Sequence, residues 1–250
     1  MSAVSKLTRS VGKLTPKSTA FFLCDIQERF APLIHNTLTI VSTAQYLTST
    51  ASALSIPVIA TQQYTKVFGP TVPGCFANGQ EGLDELISQG RVFEKKKFSM
   101  MTDQVVELIE LDEFKDRDAI VLFGIEAHVC VQQTCLDLLE MGKEVHVIVD
   151  GVSSQQPFDR EISLQRMANA GAFLTTAQSL VFMLMQSKFV CVILIVIVVR
   201  ETIYFFFVSL ISCLSLPLRV GADHPNFKAV SKLTVEHMKL PNEFNEACKK

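Results

Sequence analysis

The sequence lacks an excess of charge of either sign. Its 23 lysines and arginines and its 25 aspartates and glutamates give a formal net charge of -2 over 250 residues. Proteins that bind nucleic acid through phosphate contacts normally carry a basic surface, which this balance does not provide. We therefore expect no nucleic-acid partner. The chain is long enough to bury one sizeable hydrophobic core.

Spacings typical of disulfide frameworks and structural zinc sites are also missing. The seven cysteines are odd in number, and no C-x-x-C or paired-histidine spacing occurs. We therefore expect no structural metal and no other cofactor, and a reducing compartment such as the cytoplasm fits this cysteine usage. No acidic residue precedes Asp25, whereas three lysines and one arginine do. A mitochondrial signal is therefore kept as the alternative location.

Apolar runs of strand length alternate with stretches of helical spacing. Such alternation predicts a parallel sheet with helices on both faces, and a Gly- and Pro-containing loop is predicted over residues 62–80. The predicted strands are 19–24, 56–60, 91–94, 119–123, 144–149 and 172–175. The predicted helices are 37–54, 83–87, 103–111, 129–141, 158–170 and 177–185.

Three residues with usable chemistry follow predicted strands. Asp25 follows the first strand, Lys95 the third, and Cys130 lies just past the fourth, in the predicted first turn of a helix. Parallel strands end at a common edge of the sheet, so we expect the three side chains to lie close together. An aspartate can accept the proton of a thiol, and an ammonium group or a helix N-terminus can stabilise the thiolate.

Each of these residues also has a structural interpretation. A cysteine in apolar surroundings is commonly a small core residue, and an aspartate at a strand end is commonly a helix cap. Lys95 belongs to a run of three lysines, which is typical of a solvated surface. His128 precedes Cys130 by two residues, and a Cys–His dyad is therefore a weaker alternative. Cys24 and Cys135 are interpreted as core residues.

The residues around these three positions carry a family resemblance. The segments Phe22-Leu-Cys-Asp25-Ile-Gln27, Lys95-Lys-Lys-Phe98-Ser99-Met100 and Gly124-Ile-Glu-Ala-His-Val-Cys130 resemble the isochorismatase-like cysteine hydrolases, above all the animal isochorismatase domain-containing proteins. The resemblance implies a Rossmann-like three-layer α/β/α sandwich with a six-stranded parallel central sheet. It also implies an Asp–Lys–Cys catalytic triad of Asp25, Lys95 and Cys130, and a homo-oligomer.

The resemblance implies further features of the site. The peptide bond Ile125–Glu126 is expected to be cis, with the N–H groups of Glu126 and Cys130 forming an oxyanion hole. Phe30 matches a position in the wall of the family's substrate pocket, and Gln27 matches one beside the aspartate. Gln63 and Tyr64 are predicted at the mouth of the pocket.

The sequence also indicates a branch of the family. Nicotinamidases in it carry an Asp-x-His metal motif where this chain has Thr61-Gln-Gln-Tyr64, whose amides and phenol are poor metal ligands. True isochorismatases commonly lack the cysteine, so Cys130 favours thiolate attack on a small amide, carbamate or ester. We expect a metal-independent hydrolase of C–N bonds other than peptide bonds. The alternative is a catalytically silent domain that acts in protein interaction or oligomer assembly.

One apolar segment has no counterpart in the family pattern. Residues 189–199 and 203–218 are almost entirely apolar, and charged residues interrupt them. We divide the chain into an N-terminal extension (1–18), a hydrolase domain (19–186), an insertion (187–219) and a C-terminal segment (220–250). Plausible splice-site codons at its borders suggest the hypothesis that the insertion is a translated intron. We expect no membrane association unless the 189–218 segment belongs to the mature protein.

Overall fold

The computed structural model describes residues 10–185 and 227–238 of the chain. All strand pairings in the sheet are parallel, which confirms the predicted fold class. The strands run in the order β3-β2-β1-β4-β5-β6. They are β1 (Thr19–Cys24), β2 (Val58–Gln63), β3 (Val92–Lys95), β4 (Ala119–Ile125), β5 (Glu144–Ser153) and β6 (Phe173–Thr175).

Helices cover both faces of this sheet. The chain moves from β1 towards one edge of the sheet and then from β4 towards the other. Because parallel crossovers are right-handed, the helices that follow β1 and β4 lie on opposite faces, which gives three layers. The helices are α1 (Thr37–Leu54), α2 (Thr65–Phe68), α3 (Gln80–Ser88), α4 (Asp103–Ile109), α5 (Gln132–Glu140), α6 (Pro157–Ala170), α7 (Ala177–Met185) and α8 (Phe227–Met238).

The apolar pattern of the sequence explains how these layers pack. All residues of β1 and β4 are buried, as expected for central strands covered on both faces. Phe21 of β1 and Phe123 of β4 meet edge to face, with ring centroids 6.2 Å apart. Tyr46 of α1 bonds Thr234 of α8 at 2.7 Å and stacks on His237. Helix α8 is thereby attached to the face of the sheet that α1 covers.

Some elements differ from the sequence-based prediction. β2 begins after Pro57, because proline has no N–H for the ladder, and it continues to Gln63. β5 runs through Asp150 and Gly151 to Ser153, past a register shift between Leu122 and Gly124 of its neighbour β4. The predicted 62–80 loop contains the last residues of β2, helix α2 and a 3₁₀ turn at Pro73–Cys75.

The domain boundaries proposed from the sequence are covered only in part. The 187–219 insertion, residues 1–9 of the N-terminal extension and most of the C-terminal segment lie outside the described residues, so these divisions stay predictions. Within residues 10–185 and 227–238, no helix is both long and apolar enough to cross a membrane.

Candidate active site

The sheet reverses its strand order between β1 and β4, and Asp25 lies at this switch point, directly after β1. Its backbone is left-handed, with φ of +50°, and its side chain is fully buried. One carboxylate oxygen accepts a hydrogen bond from Thr61 Oγ1 at 2.8 Å. The other lies 2.6 Å from Lys95 Nζ in an ion pair with no exposed side-chain surface. The crevice at such a switch point is where open α/β sheets bind ligands.

Lys95 ends β3 and reaches Asp25 across the end of β2, which lies between β3 and β1. Its ammonium group also donates to Gln63 Oε1 and to the carbonyl of Phe98, both at 2.7 Å. Burial disfavours the ammonium charge, but the electrostatic interactions with Cys24, Asp25 and Cys130 and the hydrogen bond to Asp25 outweigh burial and raise the pKa of Lys95. Lys95 therefore stays charged at neutral pH, and it is the buried member of the lysine run.

Cys130 lies at the same edge, with 4% of its surface exposed. It belongs to a π-helical turn, Ala127–Val131, that precedes α5, and not to the first turn of a regular α-helix as predicted. Thr134 Oγ1 donates to the Cys130 carbonyl at 2.6 Å and accepts from the N–H of Met100 at 2.8 Å. The turn is thus tied to the loop that follows Lys95.

Cys24 belongs to this group of side chains, whereas the sequence suggested only a core residue. Its thiol donates a hydrogen bond to Asp25 Oδ2 at 3.6 Å, and it interacts electrostatically with Cys130. Burial, the neighbouring Cys130 and the charge of Asp25 together raise the pKa of Cys24 well above its ordinary value. Cys24 therefore remains a neutral thiol that can donate its proton in a hydrogen bond.

Gly124 allows β1 and β4 to approach closely at the switch point. Its φ is +133°, and a β-carbon there would lie 2.1 Å from the carbonyl oxygen of Cys24. Glycine is the residue that fits such a backbone and such an approach. The next peptide bond but one, Ile125–Glu126, is cis, at the position that the resemblance implied.

A cavity of about 450 Å³ opens beside these residues, and Cys130 is part of its wall. The phenyl rings of Phe30, Phe68 and Phe98 line it, and the first two have centroids 4.8 Å apart. Gln63 also lines the cavity, and its side-chain oxygen accepts a hydrogen bond from Lys95. Aromatic rings and a cysteine therefore line the same cavity.

The structure separates the four predicted pocket residues into two groups. Phe30 and Gln63 line the cavity. Gln27 is fully buried outside its lining, because its amide bonds the backbone of Gln63 and Gly69. Tyr64 also lies outside the lining, 42% exposed, with the ammonium group of Lys96 over its ring.

Other lining residues were missed from the sequence. Phe68 comes from α2, in the region predicted as loop, and Asp159 comes from the first turn of α6. Phe98 belongs to the motif that begins at Lys95, but the motif did not predict its place in the cavity wall. Thr61 was missed as a partner of Asp25, although its position at the end of β2 places it at the same edge. Phe68 and Asp159 could not be predicted, because they lie on helices that are far from one another along the chain.

The side chains at the metal-motif position are used within the protein. Thr61 donates to Asp25, and Gln62 Nε2 donates to Thr71 Oγ1 at 3.0 Å. Among residues 10–185 and 227–238, no cluster of three or more histidine, cysteine, aspartate or glutamate side chains is arranged to hold a metal ion. The side chains at this position therefore do not fit the metal ion that the Asp-x-His motif of nicotinamidases binds.

Comparisons with known proteins agree on one family. The isochorismatase domain model matches residues 19–179. The chain is 42% identical over 177 residues to isochorismatase domain-containing protein 2 of Xenopus laevis, covering 71% of this chain and 80% of the relative. It is 34% identical over 245 residues to the secreted isochorismatase effector Isc1 of Phytophthora sojae, covering 98% of each. The solved structure of the MAR1 ribonuclease from Caenorhabditis elegans superimposes with a TM-score of 0.67 at 35% identity, covering 89% of this chain and 92% of that one.

Proposed function

Because the chain belongs to the isochorismatase family, we propose that it is a metal-independent cysteine hydrolase of a small amide, carbamate or ester. The observation that carries this proposal is the buried Asp25–Lys95 ion pair, 2.6 Å long, behind a cavity that Cys130 lines. A buried ion pair is weak evidence for stability alone, since apolar residues often stabilise such a site equally well. Beside the Cys130 thiol, which lines the cavity, the ion pair can accept a proton and stabilise a negative charge.

In the proposed reaction, Asp25 accepts the proton of the Cys130 thiol, and the Lys95 ammonium group stabilises the thiolate. Cys130 Sγ then attacks the carbonyl carbon of the substrate, and the carbonyl π electrons move to oxygen. The N–H groups of Glu126 and Cys130 stabilise this oxyanion. The C–N or C–O bond breaks, and the leaving group takes the proton that Asp25 held.

A thioester on Cys130 remains after the first product leaves. Water attacks this thioester, Asp25 accepts a proton from the water, and the sulfur leaves as a thiolate. The cavity of about 450 Å³ limits the acyl group to a small one. Phe30 and Phe68 then provide an apolar wall on which a planar group packs.

The reactivity of Cys130 tests the proposal without knowledge of the substrate. We expect iodoacetamide at pH 7 to alkylate Cys130 faster than Cys135, because burial raises the pKa of Cys135 to about 12. Peptide mass spectrometry measures each site. Asp25→Asn and Lys95→Met should each slow alkylation of Cys130 at least about tenfold by removing the base or the stabilising charge. No preferential alkylation of Cys130 in the wild-type protein would favour a catalytically silent domain.

A hydrolysis screen over small amides, carbamates and esters then identifies the bond that is cleaved. RNA belongs in the same screen, because one structural neighbour is described as a ribonuclease. The net charge of -2 and the small cavity favour a small molecule over RNA. A homo-oligomer and a cytoplasmic location stay predictions.

Cys24 has a testable influence on Cys130. The Cys24 S–H donates to Asp25 and can turn to the Cys130 thiolate once Asp25 has accepted the proton. We expect Cys24→Ala to slow the alkylation of Cys130 about tenfold, because a hydrogen bond to a charged group contributes about 1.5–3 kcal/mol. Cys24→Ser keeps a donor and should restore most of the rate. Cys75→Ala is the matched control, since Cys75 is a buried thiol with no part in the site. Equal rates in wild type and Cys24→Ala would leave Cys24 a core residue.

A further inference from the structure

The charged side chains that line the cavity are acidic. Glu126 and Asp159 bring two carboxylates to its wall, and His128 is the one basic group there. Among the described residues of the lining, none is a lysine or an arginine. Lys95 is not part of the cavity lining, and its ammonium group is paired with Asp25. The part of a substrate that extends away from Cys130 therefore meets a negative surface.

Glu126 is held in place by its neighbours. Its side chain is 6% exposed. Gln155 donates to both carboxylate oxygens, through its backbone N–H at 3.1 Å and its side-chain amide at 2.9 Å. The imidazole of His128 lies 3.5 Å from Glu126 and bonds Ser154 Oγ at 2.9 Å. Glu126 is thus held in one position in the wall of the cavity.

Asp159 carries the second charge and is open to the cavity. Its side chain is 46% exposed, and one carboxylate oxygen lies 3.9 Å from Nε2 of His128. Asp159 belongs to the first turn of α6, whose N-terminus bears about half a positive charge. The full negative charge of Asp159 outweighs this dipole. A ligand carboxylate gains nothing there, whereas an ammonium group or an N–H donor has an acceptor.

The aromatic part of the cavity sets the other requirement. Phe30 and Phe68 form a tilted pair, and Phe98 adds a ring that is 52% exposed. These faces favour a planar apolar group, and their negative π-surfaces also favour cations over anions. The aromatic rings and the carboxylates therefore both favour a neutral or cationic ligand over an anionic one.

Resting on the proposed function of Cys130, we propose that the substrate is a planar, apolar carbonyl compound that is neutral or cationic away from the bond cleaved. Asp159 is a specificity-determining residue that disfavours substrates carrying a carboxylate. The site thereby excludes organic acids as a class and accepts amides bearing an amine, an amidine or an uncharged ring.

Charged thiol reagents test this selectivity directly. The probes are 2-aminoethyl methanethiosulfonate, which is a cation, and 2-sulfonatoethyl methanethiosulfonate, which is an anion. Each forms a mixed disulfide with Cys130 and releases methanesulfinate. Rates at Cys130 are measured by peptide mass spectrometry at low ionic strength and divided by the rates with a free thiol. We expect the cation to react about tenfold faster than the anion, a ratio that decreases as salt is added.

Two charge-reversal variants separate the local charge from the overall charge. Asp159→Lys should invert the preference, whereas Asp112→Lys should leave it unchanged. Asp112 pairs with Lys115 on the surface, 95% exposed, and its replacement changes the net charge equally. A benzamide series then extends the test to turnover. 4-(Aminomethyl)benzamide and benzamide should be hydrolysed about tenfold more efficiently than 4-carbamoylbenzoate.

The outcomes distinguish this inference from the proposed function. If neither reagent modifies Cys130, the nucleophile itself is wrong. If both modify Cys130 at equal normalised rates, Cys130 stands and the charge selectivity is wrong. A cation preference that Asp159→Lys does not change would remove Asp159 as the determinant. Preferential hydrolysis of 4-carbamoylbenzoate would overturn the substrate class.

Discussion

Cys130→Ala should lower kcat/KM for the amide or ester identified in the screen by at least about a thousandfold. Removal of the nucleophile of a catalytic unit abolishes the covalent path and leaves only the contribution of binding and the oxyanion hole. The replacement removes only one buried sulfur atom, so we expect the free energy of unfolding to fall by about 1 kcal/mol. Steady-state kinetics and urea denaturation measure the two quantities.

Cys135→Ala is the matched control for this variant. Cys135 lies in α5, five residues beyond Cys130, and is fully buried, and burial raises its pKa to about 12. Its replacement removes the same atoms from the same region of the core. We expect its kcat/KM to stay within about twofold of the wild-type value. Substantial hydrolysis by Cys130→Ala would show that another group performs the attack.

Breaking the Asp25–Lys95 ion pair should cause the largest loss of stability. Each partner has no exposed side-chain surface, so either single replacement leaves a buried charge without its counter-charge. We expect Asp25→Asn and Lys95→Met each to lower the free energy of unfolding by about 3–5 kcal/mol. Urea denaturation, followed by fluorescence and by circular dichroism, measures this loss.

A double-mutant cycle separates the pair from its members. Asp25→Asn combined with Lys95→Met removes both charges, so the double variant should recover most of the loss, with a coupling of at least about 2 kcal/mol. Lys115→Met is the surface comparison. Its partner Asp112 lies 2.7 Å away and is almost fully exposed, so we expect a change below about 1 kcal/mol. Additive losses in the cycle would mean that the two charges do not depend on each other.

The pH dependence of this pair follows from the raised pKa of Lys95. A base whose pKa is higher in the folded state is stabilised by folding in its charged form. The contribution is therefore complete below the pKa of an unfolded lysine, about 10.4, and is lost as the pH rises through the folded value. We expect the stability difference between wild type and Lys95→Met to persist through neutral pH and to shrink only in strong alkali.

The fold could be predicted from the sequence wherever local pattern and burial agree. Helix α1 has the predicted bounds because Ile40, Ala44, Leu47 and Ala51 all face the core. The end of β5 could not be predicted. Asp150 and Gly151 have the composition of a turn, and only the register shift in β4 explains why the strand continues past them. That shift is a property of two strands and not of either segment alone.

The site was predictable where its residues follow strands. Asp25 directly follows β1 and Lys95 is the last residue of β3, and the topology alone brings such positions to one edge. The cavity wall was not predictable in this way. Phe68 and Asp159 belong to helices whose positions depend on how the chain packs after the sheet has formed. The contact of the Cys24 thiol with Asp25 could not be predicted. Strand alternation would turn the two side chains to opposite faces, but Asp25 lies past the last paired residue and has a left-handed backbone.

The route of Lys95 across the end of β2 has a consequence for the order of folding. Asp25 and Lys95 meet only after β1, β2 and β3 have paired side by side, and Cys130 joins them only after β4 has paired with β1. These contacts are distant in sequence, and such contacts form late because loop closure must precede them. We therefore expect Cys130 to become reactive during refolding only when the central strands have paired. The time course of its reactivity would measure the rate of that step.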